Sequence, residues 1–358
     1  MTQKQPHRYG LIGAGMMGRE HIQNINIVEG PELVALADPD AQSRLTSRAL
    51  AGEIVKVYED YMDMMATEQL DAVIISSPNF THHKIVKDIA LFGAALLIEK
   101  PLCTMVKDAQ DLVELAKTYP ALIWTGLEYR YMPPVAEFIR RVHSGMAGQT
   151  RMLSIREHRF PFLEKVGDWN RFSENTGGTL VEKCCHFFDL MRVIMQEEPV
   201  RIFASGAQDV NHLDERYEGR TPDILDNAYV IVDFQSGARG VLDLCMFAND
   251  KEQQEDIYAL GDKGRLEVKI PAADVSWTPR SLNGGWTQHI ETPKEAFAAG
   301  DHHGATYFQL TDFHQALVRG APPTVSALDG LRSVEMGAAA HLSIETGQAV
   351  TLNFGPTS

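Results

Sequence analysis

From Arg8 onward the chain sets short apolar runs, rich in β-branched residues, against stretches in which apolar positions return every three or four residues. The runs Tyr9–Ile12, Leu33–Ala37, Ile54–Val57, Ala72–Ser76, Ala95–Ile98 and Leu122–Thr125 read as strands, with helices such as Met17–Val28 and Met105–Thr118 between them. Strand-helix alternation of this kind predicts a doubly wound parallel sheet. After Pro133-Pro134 and a helix-like stretch to Ser144 the pattern changes. Arg151–Phe160, Val200–Ala207, Asn227–Phe234, Gly240–Phe247 and Asp256–Leu260 read as strands, several of them alternating. Ser236-Gly237 and Asp262-Lys263-Gly264 supply hairpin turns, and Ala305–Arg319 and Ala327–Thr346 read as helices. The second half is therefore expected to be an α+β domain with an open, mainly antiparallel sheet, and the boundary to fall near Gly126–Pro134.

The first run ends in Gly13-Ala14-Gly15-Met16-Met17-Gly18. Alone, G-x-G-x-x-G is a weak signal. Here it follows a strand, opens a helix, and is answered by Asp38 at the end of the next strand, as a dinucleotide fingerprint requires. Gly13 permits the tight turn, and Gly18 lets helix and strand pack closely. Gly15 lets the backbone, with Met16 and Met17 in the first helical turn, approach a pyrophosphate. Asp38 can accept hydrogen bonds from the ribose hydroxyls of NAD and would repel a 2′-phosphate, so NAD is favoured; Arg44, a few residues on, keeps NADP open.

Two more segments leave strand ends on the side where ligands bind in such sheets. One is the loop from Ser76 to His83, whose Ser77, Pro78, Asn79 and His82 can line the cofactor. The other is Ile98-Glu99-Lys100-Pro101, where a charged pair comes straight off an apolar strand. That position suits a functional Lys100; a solvated ion pair at a strand end is the alternative.

Composition narrows the classes. A chain of 358 residues exceeds one ordinary core, and 44% hydrophobic with 23% charged residues is globular. The net charge of −15 repels phosphate backbones, so nucleic acid is not expected as a partner. No apolar run approaches the roughly 20 residues that cross a bilayer, and MTQKQPHRYG has no apolar stretch of a signal peptide. The four cysteines fit a reduced cytoplasmic protein better than a disulfide scaffold.

Three features of the second half carry candidate chemistry. Tyr129-Arg130-Tyr131 could turn the Arg130 guanidinium toward a ligand, or serve packing. The stretch Arg151–Arg171 is locally basic in an acidic chain. Its Arg156, His158, Arg159, Lys165, Trp169 and Asn170 read either as an ordinary strand and loop or as a grip on a polar, even anionic, sugar. The third is TGGTLVEKCCHFFDLM, residues 176–191, a glycine turn entering a helix. There Glu182, His186 and Asp189 fall on one face at i, i+4 and i+7, and Lys183 neighbours His186. Cys184 and Cys185 lack C-x-x-C spacing and no second cluster completes a tetrahedral site, so no metal is expected. A carboxylate-backed histidine suits proton transfer; a structural histidine is the alternative.

Together GLIGAGMMGREH, ADPD, SSPNFTHH, IEKP, LEYRYMPP, GGTLVEKCCHFFDL and the late SALDGLRSVEMGAAAHLSIETGQAV resemble the Gfo/Idh/MocA family of sugar and inositol dehydrogenases, over almost the whole chain. The resemblance implies a Rossmann domain over residues 1–128. It implies a substrate-binding and oligomerisation domain over 129–358, with the C-terminal helix free to pack back on the first and the open sheet forming a homodimer or homotetramer face. It also implies that Lys100 hydrogen-bonds the reacting hydroxyl and that His186 is the acid/base. The family's carboxylate four residues earlier is usually Asp and here is Glu182, and Cys184–Cys185 stand where a glycine is common.

The expected activity is NAD-dependent oxidation of a sugar, sugar acid or inositol by Lys100, His186 and Glu182. The rivals are a glycosidase of the same family, using transient oxidation on an anionic glycoside, and a non-catalytic NAD-binding regulator.

Overall fold

The computed structural model describes residues 6–281 and 283–354; the signal-peptide reading rests in part on residues 1–5, outside that range. The chain divides into two compact units. The first comprises Met1–Tyr131, Lys165–Trp169 and Pro293–Val334, and the second the remainder.

In the first unit, six parallel strands form one sheet in the order β3-β2-β1-β4-β5-β6. They are β1 (His7–Ile12), β2 (Pro31–Ala37), β3 (Lys56–Tyr58), β4 (Ala72–Ile75), β5 (Ala95–Glu99) and β6 (Ile123–Gly126). This is the strand order of a Rossmann sheet, with its switch point between β1 and β4. Strands β4, β5 and β6 are buried at every position, because helices cover both faces. The third strand begins two residues later than the expected Ile54–Val57 and ends one later: Ile54 is 92% exposed, ahead of the strand.

The chain returns to this unit near its end, a feature that a single cut at residue 128 does not capture. Thr125 donates its backbone N–H to the Val325 carbonyl and its hydroxyl to the Ser326 carbonyl, both at 3.0 Å. Leu331 and Ala327 join the apolar core that contains Leu96, Ile98 and Leu102. In the helix Ala305–Arg319, Phe313 meets Trp124 edge-on and His314 meets the Tyr9 hydroxyl at 3.0 Å.

The second unit holds a nine-stranded sheet in the order β14-β13-β12-β11-β7-β10-β9-β8-β15. Its strands are β7 (Thr150–His158), β8 (Pro199–Ala207), β9 (Asn227–Phe234), β10 (Arg239–Cys245) and β11 (Glu255–Gly261). They continue with β12 (Gly264–Ile270), β13 (Asp274–Pro279), β14 (Trp286–His289) and β15 (Val350–Thr351). All pairs are antiparallel except β7 with β10. The strands from β12 to β14 were not among those expected, although Leu266, Val268 and Ile270 alternate inward along β12. The other face carries a patch of exposed apolar side chains: Met152, Phe203, Tyr229 and Ile231.

Inside this sheet Glu157 of β7 stands opposite Glu255 of β11, and both are buried. Burial first, and the facing Glu157 second, push the Glu255 carboxyl up to about 8. The folded chain thus holds a proton that the unfolded chain releases near the ordinary carboxylate value. This group's contribution to stability is fully present below that value and is lost as pH rises toward 8. Thermal melts should show Glu255→Gln matching the parent protein near pH 5 and melting higher at pH 9, since a glutamine keeps the donor without the charge. Parallel melting curves across that range would refute the shared proton.

Candidate active site

The glycine turn of the first unit is a steric requirement. Gly13 has φ +91°, and its N–H donates to the Ala37 carbonyl at 2.9 Å. A Cβ on Gly13 would overlap the Ser76–Ser77 backbone, and one on Gly18 would overlap the Gly13 carbonyl. A Cβ on Gly15 would meet nothing within 4 Å, so the start of the helix Met16–Ile25 is open to an anion. Asp38 ties the end of β2 to this turn: one oxygen accepts from the Ala14 N–H at 2.6 Å, the other from the Asp40 N–H at 2.8 Å. Each oxygen keeps a second lone pair, as a ribose hydroxyl would need. Arg44 donates to the carbonyls of Asp38 (2.7 Å) and Pro39 (2.8 Å), so its guanidinium is engaged by the loop rather than turned to a 2′-phosphate. The arrangement fits NAD.

In the next loop Ser77 and Pro78 are half-buried and Asn79 is buried, with the Ser77 and Thr81 hydroxyls 2.7 Å apart. His82 departs from its expected contact with the cofactor. It is 0% exposed, its ring lies between the carbonyls of Ser77 (3.0 Å) and Pro101 (2.9 Å), and burial lowers its pKa. It braces two ligand-side loops and presents no surface of its own. Glu99, also expected at the cofactor, is a second brace. One oxygen sits 2.6 Å from Nε2 of His21 and the other accepts the Lys100 N–H at 3.2 Å. Burial pushes its carboxyl up, but the His21 hydrogen bond together with the charges of His21 and Lys100 outweighs this and the net shift is down. Lys100, half-buried and followed by a cis peptide to Pro101, leaves β5 from this support.

Two more expected residues belong to this unit. Trp169 packs edge-on against Phe80 at 6.1 Å, and Lys165 lies in the same short segment. Arg130 is engaged within the unit: its guanidinium reaches the Thr324 carbonyl at 3.3 Å and Asp329 at 3.9 Å, with 11% of its side chain exposed. Sequence reasoning missed a charge cluster near Lys100, made of the buried Glu20, His21 and Glu128 and the half-buried His302. Its signal was faint, since these residues are distributed along the chain.

In the second unit the glycine turn enters two helical pieces, Thr179–Glu182 and Cys185–Met195, and not the continuous helix expected. At the break, the Cys184 N–H reaches back five residues to the Thr179 carbonyl. Glu182, His186 and Asp189 are all buried, at 6%, 2% and 1% exposure. His341 supports the turn, another residue the sequence reading passed over. Its Nε2 accepts the Leu180 N–H at 3.1 Å, and burial lowers its pKa to about 4, leaving the neutral ring that acceptance needs. Cys184 and Cys185 are both fully buried. Among the described residues no three His, Cys, Asp or Glu side chains come close enough to hold a metal.

Several expected substrate residues turn inward. Lys183 is 3% exposed, 3.1 Å from Glu157, with its ammonium over the Phe187 ring. Asn170 is 0% exposed and donates to the Leu163 carbonyl at 3.0 Å. Both side chains are engaged by groups of the protein itself. Arg156 donates to the Gln253 carbonyl at 3.0 Å. His158 pairs with Asp243 at 3.0 Å. Arg159 stacks on Phe160 and lies 3.6 Å from Glu157. These three stay half-buried at the end of β7 and just beyond it.

Comparison with known proteins agrees with this geometry. Residues 7–127 match the profile of an oxidoreductase family with an NAD-binding Rossmann fold, and residues 139–352 that family's C-terminal α/β domain. The myo-inositol 2-dehydrogenase of Thermotoga maritima is 30% identical over 346 residues, covering 96% of this chain and 98% of that protein. The rhizopine catabolism protein MocA of Rhizobium meliloti is 27% identical, covering 93% of each. A solved probable dehydrogenase from Thermotoga maritima superposes with a TM-score of 0.78 at 25% identity, over 96% of this chain and 98% of that one.

The turn at Gly178 offers a local test. Its φ is +83°, and a Cβ there would overlap the His341 ring. Gly178→Ala should lower stability by about 2 kcal/mol or more, read by urea denaturation. A change below roughly 0.5 kcal/mol would mean the turn relaxes freely.

Proposed function

The chain belongs to the Gfo/Idh/MocA family of oxidoreductases and carries that family's NAD-binding Rossmann unit, and from this premise we propose that it oxidises a hydroxyl-bearing carbon of a sugar, sugar acid or inositol. NAD supplies the hydride acceptor. Lys100, half-buried at the ligand-side end of β5 and supported by Glu99 and His21, carries the reading. An ammonium there donates to the reacting oxygen and stabilises its developing charge. His186 takes the hydroxyl proton and Glu182 positions it. The net change is alcohol to carbonyl, with one hydride to the cofactor and one proton released. His158, Arg159, Lys165 and Trp169, none of them fully buried, are proposed to choose among polyols.

The redox-neutral glycosidase reading drew on the basic stretch around Arg156–Arg171. Arg156, Arg159 and Arg171 are each engaged by acceptors of the protein itself, Arg171 by Glu215 at 3.0 Å, which lessens that support. Release of a chromogenic aglycone without net NADH would favour it nonetheless.

The similar proteins include a myo-inositol 2-dehydrogenase and a MocA protein, so the first assay is NAD with a panel of inositols, aldoses and uronates, read by nicotinamide absorbance. Lys100→Ala and His186→Ala should each lower kcat about 100-fold or more with NADH affinity within about twofold. Loss of NADH binding in His186→Ala would remove its assigned role. For assembly, the apolar patch of the second sheet is proposed as a homo-oligomer face. Ile231→Asp should reduce the mass seen by light scattering, and an unchanged oligomer would exclude that face.

A further inference from the structure

The first unit buries more charge around Lys100 than one cation requires. Glu128 lies two residues beyond Gly126, which pairs with Glu99 at the end of β5, and is 1% exposed. The charges of Glu99 and Lys100 act on it, and His302, from the loop before the helix Ala305–Arg319, has its Nε2 4.0 Å from a Glu128 oxygen. His302 is held from its other side: Nδ1 lies 2.9 and 3.0 Å from the two oxygens of Glu20, on the helix that follows the glycine turn. Thr306 donates to that same Glu20 at 2.6 Å. A cavity of about 490 Å³ borders Glu20, with Arg19, Asp301 and His303 in its wall. A row of groups, Thr306–Glu20–His302–Glu128, thus runs from the edge of a cavity to the surroundings of Lys100.

The charge states order this row. Burial pushes Glu20 up, but the bonds from His302 and Thr306 outweigh it and hold the carboxyl at about 2. Burial pulls His302 down, yet Glu20 raises it on balance. Glu128 is pushed up to about 7, by burial first and by Glu99 second, against the pull of His302 and Lys100. A half-buried ammonium loses charge to desolvation unless a carboxylate compensates. Glu99 is already committed to His21 and to the Lys100 N–H.

We propose that Glu128 is a positioning residue for Lys100: its carboxylate, held by His302 and Glu20, keeps Lys100 as the ammonium that donates to the reacting oxygen. The last clause rests on the function proposed above; the link between the two charges does not. Losing the carboxylate lowers the pH at which the ammonium is discharged, so the support shows on the alkaline side of the profile, where Lys100 would otherwise lose its proton.

The link is tested on the whole protein without turnover. Acetylation of Lys100 by acetic anhydride at pH 8, read by peptide mass spectrometry and normalised to the exposed Lys251, reports the neutral amine. Glu128→Gln should speed it about tenfold, the effect of one unit in the lysine's pKa. Glu128→Asp should leave it near the parent rate. Equal rates in all three proteins, each with a parent-like melting profile, would overturn the proposal. With an active polyol in hand, Glu128→Gln should lower kcat more than KM at alkaline pH and move the alkaline limb of the pH profile down by about one unit; an unchanged limb would also overturn it. Absence of turnover with every polyol would strike the assigned function alone, because the acetylation rates would still decide the Glu128–Lys100 link.

Discussion

The contact between His21 and Glu99 organises the first unit. It joins the helix that starts at the glycine turn to the end of β5, so the segment that fits a pyrophosphate and the segment that projects Lys100 share one buried bond. Both partners are nearly inaccessible, and removing either would leave a buried polar group without its counterpart, which costs far more than the pair contributes. Two tight constraints flank it. The glycines of the turn exclude a Cβ on either side of the open helix start, and the cis Lys100–Pro101 segment lies against the His82 ring.

The second unit reaches a comparable rigidity by other means. Its glycine turn is pinned by a histidine of a distant helix, and the residues that follow it are buried almost completely. The five-residue reach of the Cys184 N–H breaks one helix into two, so Glu182 and His186 are placed by an irregular turn as well as by helical periodicity. The cysteines at the break fill space. Lys183, beside them, is consumed by the carboxylates of the sheet beneath.

Much of this was legible in the chain. The Rossmann strands, the glycine fingerprint and Asp38 were read from local pattern, because a turn needing glycine and an acid ending the next strand act within about 25 residues of sequence. The antiparallel sheet was visible in its alternating strands up to β11. The roles of individual polar residues were less legible. His82, Glu99, Arg130, Asn170 and Lys183 are polar residues in ligand-side segments, and sequence proximity to a site cannot distinguish a side chain that meets a ligand from one that holds the loop from behind.

The sequence alone determined the fold class, the cofactor preference and the identity of Lys100, Glu182 and His186 as candidates, since these depend on local steric and charge rules. Tertiary structure decided which polar groups are buried together. Glu20, Glu128 and His302 come from three separated stretches, and only the return of Pro293–Val334 to the first unit brings His302 within 4.0 Å of Glu128. Their protonation follows from that burial and mutual repulsion, quantities that no spacing along the chain encodes.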